Sequence, residues 1–71
     1  MRKVWSEGGY PDDYIYIFEF KLDKSADEAL HQIEDKGYAL PYTSDPRRLF
    51  KIGVNFTSEQ RRIAEWKVVE R

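Results

Sequence analysis

The sequence predicts an α/β domain, a mixed β-sheet of three or four strands with one main helix, in the order β-β-α-β-β. Three observations carry this. Tyr14 to Leu22 is a β-branched and aromatic run, Ser25 to Gly37 bears helix start and stop signals, and Leu49 to Phe56 alternates at period two.

Met1 to Trp5 is short and mixed, which leaves the first strand doubtful, and Ser6 to Asp13 gathers the Gly, Pro and Asp residues of a hairpin loop. Asp12 and Asp13 read as turn residues there. Tyr14-Ile-Tyr-Ile-Phe-Glu-Phe-Lys-Leu22 is too long an apolar run to leave either face in water, so a central strand is expected. In Ser25-Ala26-Asp27-Glu28 the Ser hydroxyl is placed to accept from the Glu28 amide, and the acids suit the positive end of the helix dipole. Ala26, Ala29, Leu30 and Ile33 recur at three- and four-residue spacing as one apolar stripe, and Gly37 supplies the stop.

Pro41 to Pro46 reads as a loop. In the strand that follows, Phe50, Ile52, Val54 and Phe56 lie on one side and Lys51, Gly53 and Asn55 on the other. The intervening helix and more than twenty residues make this strand parallel to the Tyr14 strand through a βαβ crossover. Thr57 to Gln60 forms a turn, and Ile63 to Val69 a last strand with Ala64, Trp66 and Val68 on one face. Trp66 and the tyrosines are expected in the core and in sheet-face packing.

Size and charge set bounds. A chain of 71 residues is one domain at most, and such chains bury only about 60% of the surface exposed when unfolded. Without cysteine there is no disulfide and no thiolate metal site. Twelve Lys and Arg against thirteen Asp and Glu exclude a globally basic nucleic-acid binder, so any DNA contact is local. Arg47, Arg48, Lys51, Arg61 and Arg62 are the candidates for such a phosphate-contacting patch, or simply a solvated face. No stretch approaches the roughly 18 apolar residues of a membrane span, and no signal-peptide core follows Met1-Arg2-Lys3, so a soluble cytoplasmic protein is expected. A single helix over the sheet leaves apolar surface, which predicts a homodimer or an abutting upstream domain.

Glu19 and Lys21 are two apart on a strand, hence on one face with Ile15 and Ile17, about 7 Å apart along its axis. A carboxylate and an ammonium on an apolar face must pair or bind something. One reading is a structural ion pair. The other is a site in which Glu19 ligates Mg²⁺ while Lys21 orients the attacking water and offsets charge on a phosphoryl transition state. His31 has no second His and no Cys to join it, and is expected to be exposed.

Several blocks occur together in order: Tyr14 to Asp23 (YIYIFEFKLD), Ala29-Leu30-His31-Gln32-Ile33, Lys36-Gly37-Tyr38, and Lys51 to Phe56 (KIGVNF). Over roughly residues 12–69 they resemble the PD-(D/E)xK nuclease-superfamily domain found at the C-terminus of bacterial AAA-ATPase-like proteins. The resemblance implies a restriction-endonuclease-like core, metal-dependent hydrolysis of DNA, Glu19 as metal ligand and Lys21 as catalytic lysine. Gln32, with Lys36 and Tyr38, would be contributed from the following helix, and the partners would be DNA and an upstream ATPase-like domain.

The chain departs from that pattern upstream. The family carries a metal-binding Asp, usually in a Gly-Arg-x-Asp segment, on the strand antiparallel to Glu-x-Lys. The corresponding position here is Ser6, residues 1–5 contain no acid, and the nearest upstream carboxylate is Glu7. Pro11-Asp12 spells the motif, but seven extended residues put Asp12 roughly 23 Å from Glu19. The expectation is a single nuclease-like domain over residues 1–71 that lacks its N-terminal part and is incomplete as a catalyst. A catalytically dead nuclease fold, serving interaction or DNA binding, is the competing reading.

Overall fold

The structure, a computed structural model, describes residues 2–6 and 13–71. Its elements are β1 (Arg2–Ser6), β2 (Tyr14–Leu22), α1 (Ala26–Asp35), a 3₁₀ turn (Leu40–Tyr42), β3 (Arg48–Thr57) and β4 (Arg62–Glu70). They form one four-stranded sheet in the order β1-β2-β3-β4, with β1 antiparallel to β2, β2 parallel to β3 and β3 antiparallel to β4. The expected β-β-α-β-β order and mixed sheet hold, and the doubtful first strand is present. The hairpin-loop positions 7–12, with Glu7 and Asp12, lie outside the described residues.

Helix α1 starts as its sequence dictates. Ser25 has extended φ/ψ and its Oγ accepts from the Glu28 N–H at 3.0 Å. Glu65 of β4 adds a second cap, its Oε1 accepting from the Ala26 N–H at 2.8 Å. At the other end Gly37 takes φ +66°, its N–H bonds to the Glu34 carbonyl, and the Tyr38 N–H bonds to the Ile33 carbonyl. This is a Schellman closure, accompanied by packing of Tyr38 against the core around Ile33.

The helix lies on the face bearing the odd-numbered residues of β2. Ile15, Ile17, Ile33 and Leu49 are fully buried there, with Val4, Leu30, Tyr38, Ala39 and Tyr42 packed around them. On β3 the helix side is Leu49, Lys51, Gly53 and Asn55, registered against Ile15, Ile17, Glu19 and Lys21. The more polar side of that strand therefore carries the helix, because Gly53 makes room. A Cβ at Gly53 would lie 2.4 Å from the Ala26 carbonyl oxygen and 3.1 Å from the Ala29 Cβ.

The opposite face corrects two expectations. Among the described residues nothing covers it, although β2 reads as apolar on both sides. Its rings cover one another instead: Trp5 on Tyr16 (5.4 Å between centroids), Tyr16 on Phe50 (5.6 Å), Phe18 on Phe20 (6.0 Å) and Phe20 on Phe56 (5.9 Å). Among the described tyrosines, Tyr14 and Tyr16 serve sheet-face packing and Tyr38 and Tyr42 pack against the core, as expected, but Trp66 is 63% exposed rather than core. In β4 the register shifts at Asn55/Phe56, which pair with Glu65 and Ile63, so Ala64 is the extra residue of a bulge instead of a partner to Trp66 and Val68.

Candidate functional site

Strand β2 carries Glu19 and Lys21 toward α1, and the helix turn above them presents Gln32. Lys21 Nζ lies 3.9 Å from Glu19 Oε2 and donates to Gln32 Oε1 at 3.3 Å. The three residues singled out in the sequence thus meet. The Glu19 side chain is only 3% exposed, that of Lys21 26%. The Glu19–Lys21 separation is too long for a hydrogen bond but close enough for charge attraction in a half-dry setting.

Lys21 and Gln32 open onto a shallow cleft also lined by Lys24, Asp27, Glu28, His31 and Asp35. His31 is exposed, as expected. The other two helix-side candidates separate from the trio. Lys36 is exposed at the helix C-cap, and Tyr38 packs on the core, with the Arg2 guanidinium carbon 4.2 Å above its ring.

Strand β1 runs antiparallel along the Glu19-bearing strand. In the antiparallel register Arg2 stands opposite Glu19, and Val4 and Ser6 follow on the same face. The residue opposite Glu19 is thus a cation, and Ser6, the position at which the resemblance places the second acid, stands opposite Ile15. Among the described residues no group of three or more His, Cys, Asp or Glu is disposed to hold a metal ion. Mg²⁺ bound by protein generally takes one or two carboxylates and keeps several waters. Glu19 offers one carboxylate, the lower end of that range, with Lys21 3.9 Å away and Arg2 opposite in the register, so among the described residues the ligand set is partial.

The proposed phosphate patch does not assemble either. Arg48 forms an ion pair with Glu70 at one end of β3, whereas Arg62 pairs with Thr57 at the other, about 30 Å away at ~3.3 Å per residue. Arg47 is clamped by Asp45 (2.7 Å), Arg48 by Glu70 (2.8 Å), Lys51 by Glu34 and Lys67 by Asp27 (2.9 Å). The Arg47 guanidinium, and then its backbone N–H, hold the Asp45 carboxyl down at about 2. Hydrogen bonding from Arg48 likewise lowers Glu70 below the usual carboxylate value.

Sequence reasoning missed four residues that shape this region. Arg2 faces Glu19 and Gly53 seats the helix. Asn55 is 6% exposed and its Oδ1 accepts from the Lys24 N–H at 2.9 Å, fixing the turn between β2 and α1. Glu65 caps the helix from β4. The available signals were the lone Gly and Asn within an otherwise alternating strand, which mark close approach and local hydrogen bonding.

Comparison with known proteins agrees with the fold. The sequence model of the PD-(D/E)XK nuclease superfamily matches residues 8–66. An uncharacterised protein of the vnfD 5′ region of Azotobacter chroococcum mcd 1 is 35% identical over 57 residues, covering 78% of this chain and 11% of that protein. The chain therefore spans a small fraction of that relative's length. No solved structure matches. The family match takes in the Glu-x-Lys strand, the helix bearing Gln32 and most of the sheet, and the chain belongs to the PD-(D/E)XK nuclease superfamily.

Proposed function

We propose that this chain is a nuclease-fold interaction module that does not hydrolyse DNA with its own residues. The observation that carries the reading is the composition of the site: Lys21 bridges Glu19 and Gln32, and among the described residues no group of three or more His, Cys, Asp or Glu is disposed to hold a metal ion. Fold kinship transfers activity only where the site is complete.

The surfaces favour a protein partner over DNA. The cleft beside Lys21 is lined by two lysines and three acids, a balance that repels phosphate, and the Arg and Lys residues once grouped as a patch are engaged by acids or lie far apart. The open sheet face offers about 19 by 30 Å of aromatic and aliphatic surface, from strand spacing and rise. Trp5, Ile63, Trp66 and Val68 are exposed at 45% or more. Patches of that kind mark interaction sites. A second copy of this chain is the partner first to be tested. An upstream ATPase-like domain is the other candidate, from the resemblance, and the bacterial cytoplasm is the setting in which we place both.

The second reading is Mg²⁺-dependent DNA hydrolysis with an acid supplied from outside the described residues. The preserved Glu19, Lys21 and Gln32 arrangement favours it. Sedimentation of the purified chain, run beside a plasmid-nicking assay with Mg²⁺ or Mn²⁺, separates the two. Self-association without cutting supports the module, and cutting that requires Glu19 and Lys21 supports the nuclease.

A further inference from the structure

We propose that β4 is a self-pairing edge: a second copy of this chain adds its own β4 antiparallel to it, with Trp66 on the two-fold axis and Glu65 of each copy opposite Lys67 of the other. The proposal rests on the interaction-module reading above and names how its partner docks.

The edge itself is the first observation. In the order β1-β2-β3-β4, β4 has a strand on one side only among the described residues, so a row of its N–H and C=O groups faces outward. It runs for nine residues, Arg62–Glu70, every one of them exposed. Its apolar side chains Ile63, Trp66, Val68 and Val69 are among them. A long apolar edge of this kind is a template for another strand. The opposite edge, β1, has five residues with two cations and no acid, and offers a copy of itself no charge complement.

Charge order is the second observation, and it fixes the occupant. β4 reads Arg-Ile-Ala-Glu-Trp-Lys-Val-Val-Glu. With Trp66 on the axis, Glu65 and Lys67 oppose each other twice, once on each side of it. Both lie on the helix face, where they register against Asn55 and Gly53. Lys67 is held by Asp27 at 2.9 Å with its side chain 48% exposed, and its ammonium carries three donors with which to serve a second acid. The two copies of Trp66 meet on the open face. Ala64 is the extra residue of β4 against β3, and counted as extra against the second copy too it places Ile63 of that copy beside Val68. Arg62 of the second copy then falls beside Val69 on the helix face, where Glu34 and Asp35 help to line a groove.

A lysine and a bulge usually keep other strands off an edge. Against β4 itself the lysine meets Glu65, so the same residues that repel other strands admit a second copy.

The test is sedimentation equilibrium of wild type, Lys67→Glu, Glu65→Lys and an equimolar mixture of the two variants. Wild type should dimerise. Each variant alone sets like charges opposite each other on both sides of the axis and should self-associate at least about tenfold more weakly, whereas the mixture restores opposite charges and should associate within about threefold of wild type. A wild type that stays monomeric, or a mixture no tighter than its components, overturns the proposal.

Glu65→Lys also removes the cap on Ala26. Should it fail to fold, crosslinking decides. The chain has no cysteine, so Trp66→Cys should form a disulfide-linked dimer in oxidising buffer. Val68→Cys should not, because its two copies would stand about 13 Å apart along the strands. Equal crosslinking of both overturns the register. The outcomes also separate this proposal from the functional reading. Self-association that Trp66→Lys weakens but neither charge variant changes overturns the edge pairing and keeps the module. Plasmid cutting by a wild type that dimerises as described defeats the module and leaves the edge pairing standing.

Discussion

Glu19 on β2 is registered beside Gly53 on β3, and the side chain that Gly53 lacks is what lets α1 close over Glu19. A methyl group at Gly53 would meet the Ala26 carbonyl oxygen at 2.4 Å, the Leu30 Cγ at 3.0 Å and the Ala29 Cβ at 3.1 Å. The nearest of these is backbone and cannot swing aside. Gly53→Ala should therefore lift the helix and destabilise the fold by about 2 kcal/mol or more, read from urea unfolding. A loss below about 0.5 kcal/mol would mean that the helix is not seated there.

Asp45 accepts from the Arg47 N–H, Nε and Nη2 at 2.7 to 3.0 Å. These bonds lower its carboxyl from the ordinary 3.8 to about 2. The folded value lies below the unfolded one, so the stabilisation is fully present above about pH 4 and fades as pH falls toward 2. Wild type should melt above Asp45→Asn at pH 6, with the difference shrinking between pH 4 and 2. A gap that stays constant over that range would contradict the assignment.

Trp66 is 63% exposed on the open face, so Trp66→Lys removes little native packing. Stability of the dilute protein should change by less than about 0.5 kcal/mol. Self-association, measured by sedimentation equilibrium, should weaken markedly, because a charge placed within an apolar interface must be desolvated. If wild type stays monomeric across the concentration range, a second copy is not the occupant of this face.

Local signals made much of the fold legible. The capping box at Ser25 and Glu28 and the stop at Gly37 are backbone chemistry, written in neighbouring residues and realised in the Oγ and Schellman bonds. The parallel pairing of β2 and β3 followed from the helix between them. Glu19, Lys21 and Gln32 converge as their strand and helix positions suggested.

What escaped depends on other strands. Hydropathy alone favours the Phe50, Ile52, Val54 and Phe56 side of β3 as the packed one, yet the helix chose the side where Gly53 lets it approach. Arg2 lies in a mixed five-residue strand, and its place opposite Glu19 depends on hairpin register, which a loop of uncertain turn type does not specify. The bulge at Ala64 likewise has no distinct local signature.

The most direct test of the account is supercoiled-plasmid nicking by the purified chain in Mg²⁺ and in Mn²⁺, with Glu19→Ala and Lys21→Ala prepared in parallel. The account predicts no cutting above the no-protein background for any of the three. Cutting by wild type that both substitutions abolish would contradict it, showing that Glu19 and Lys21 complete a working site.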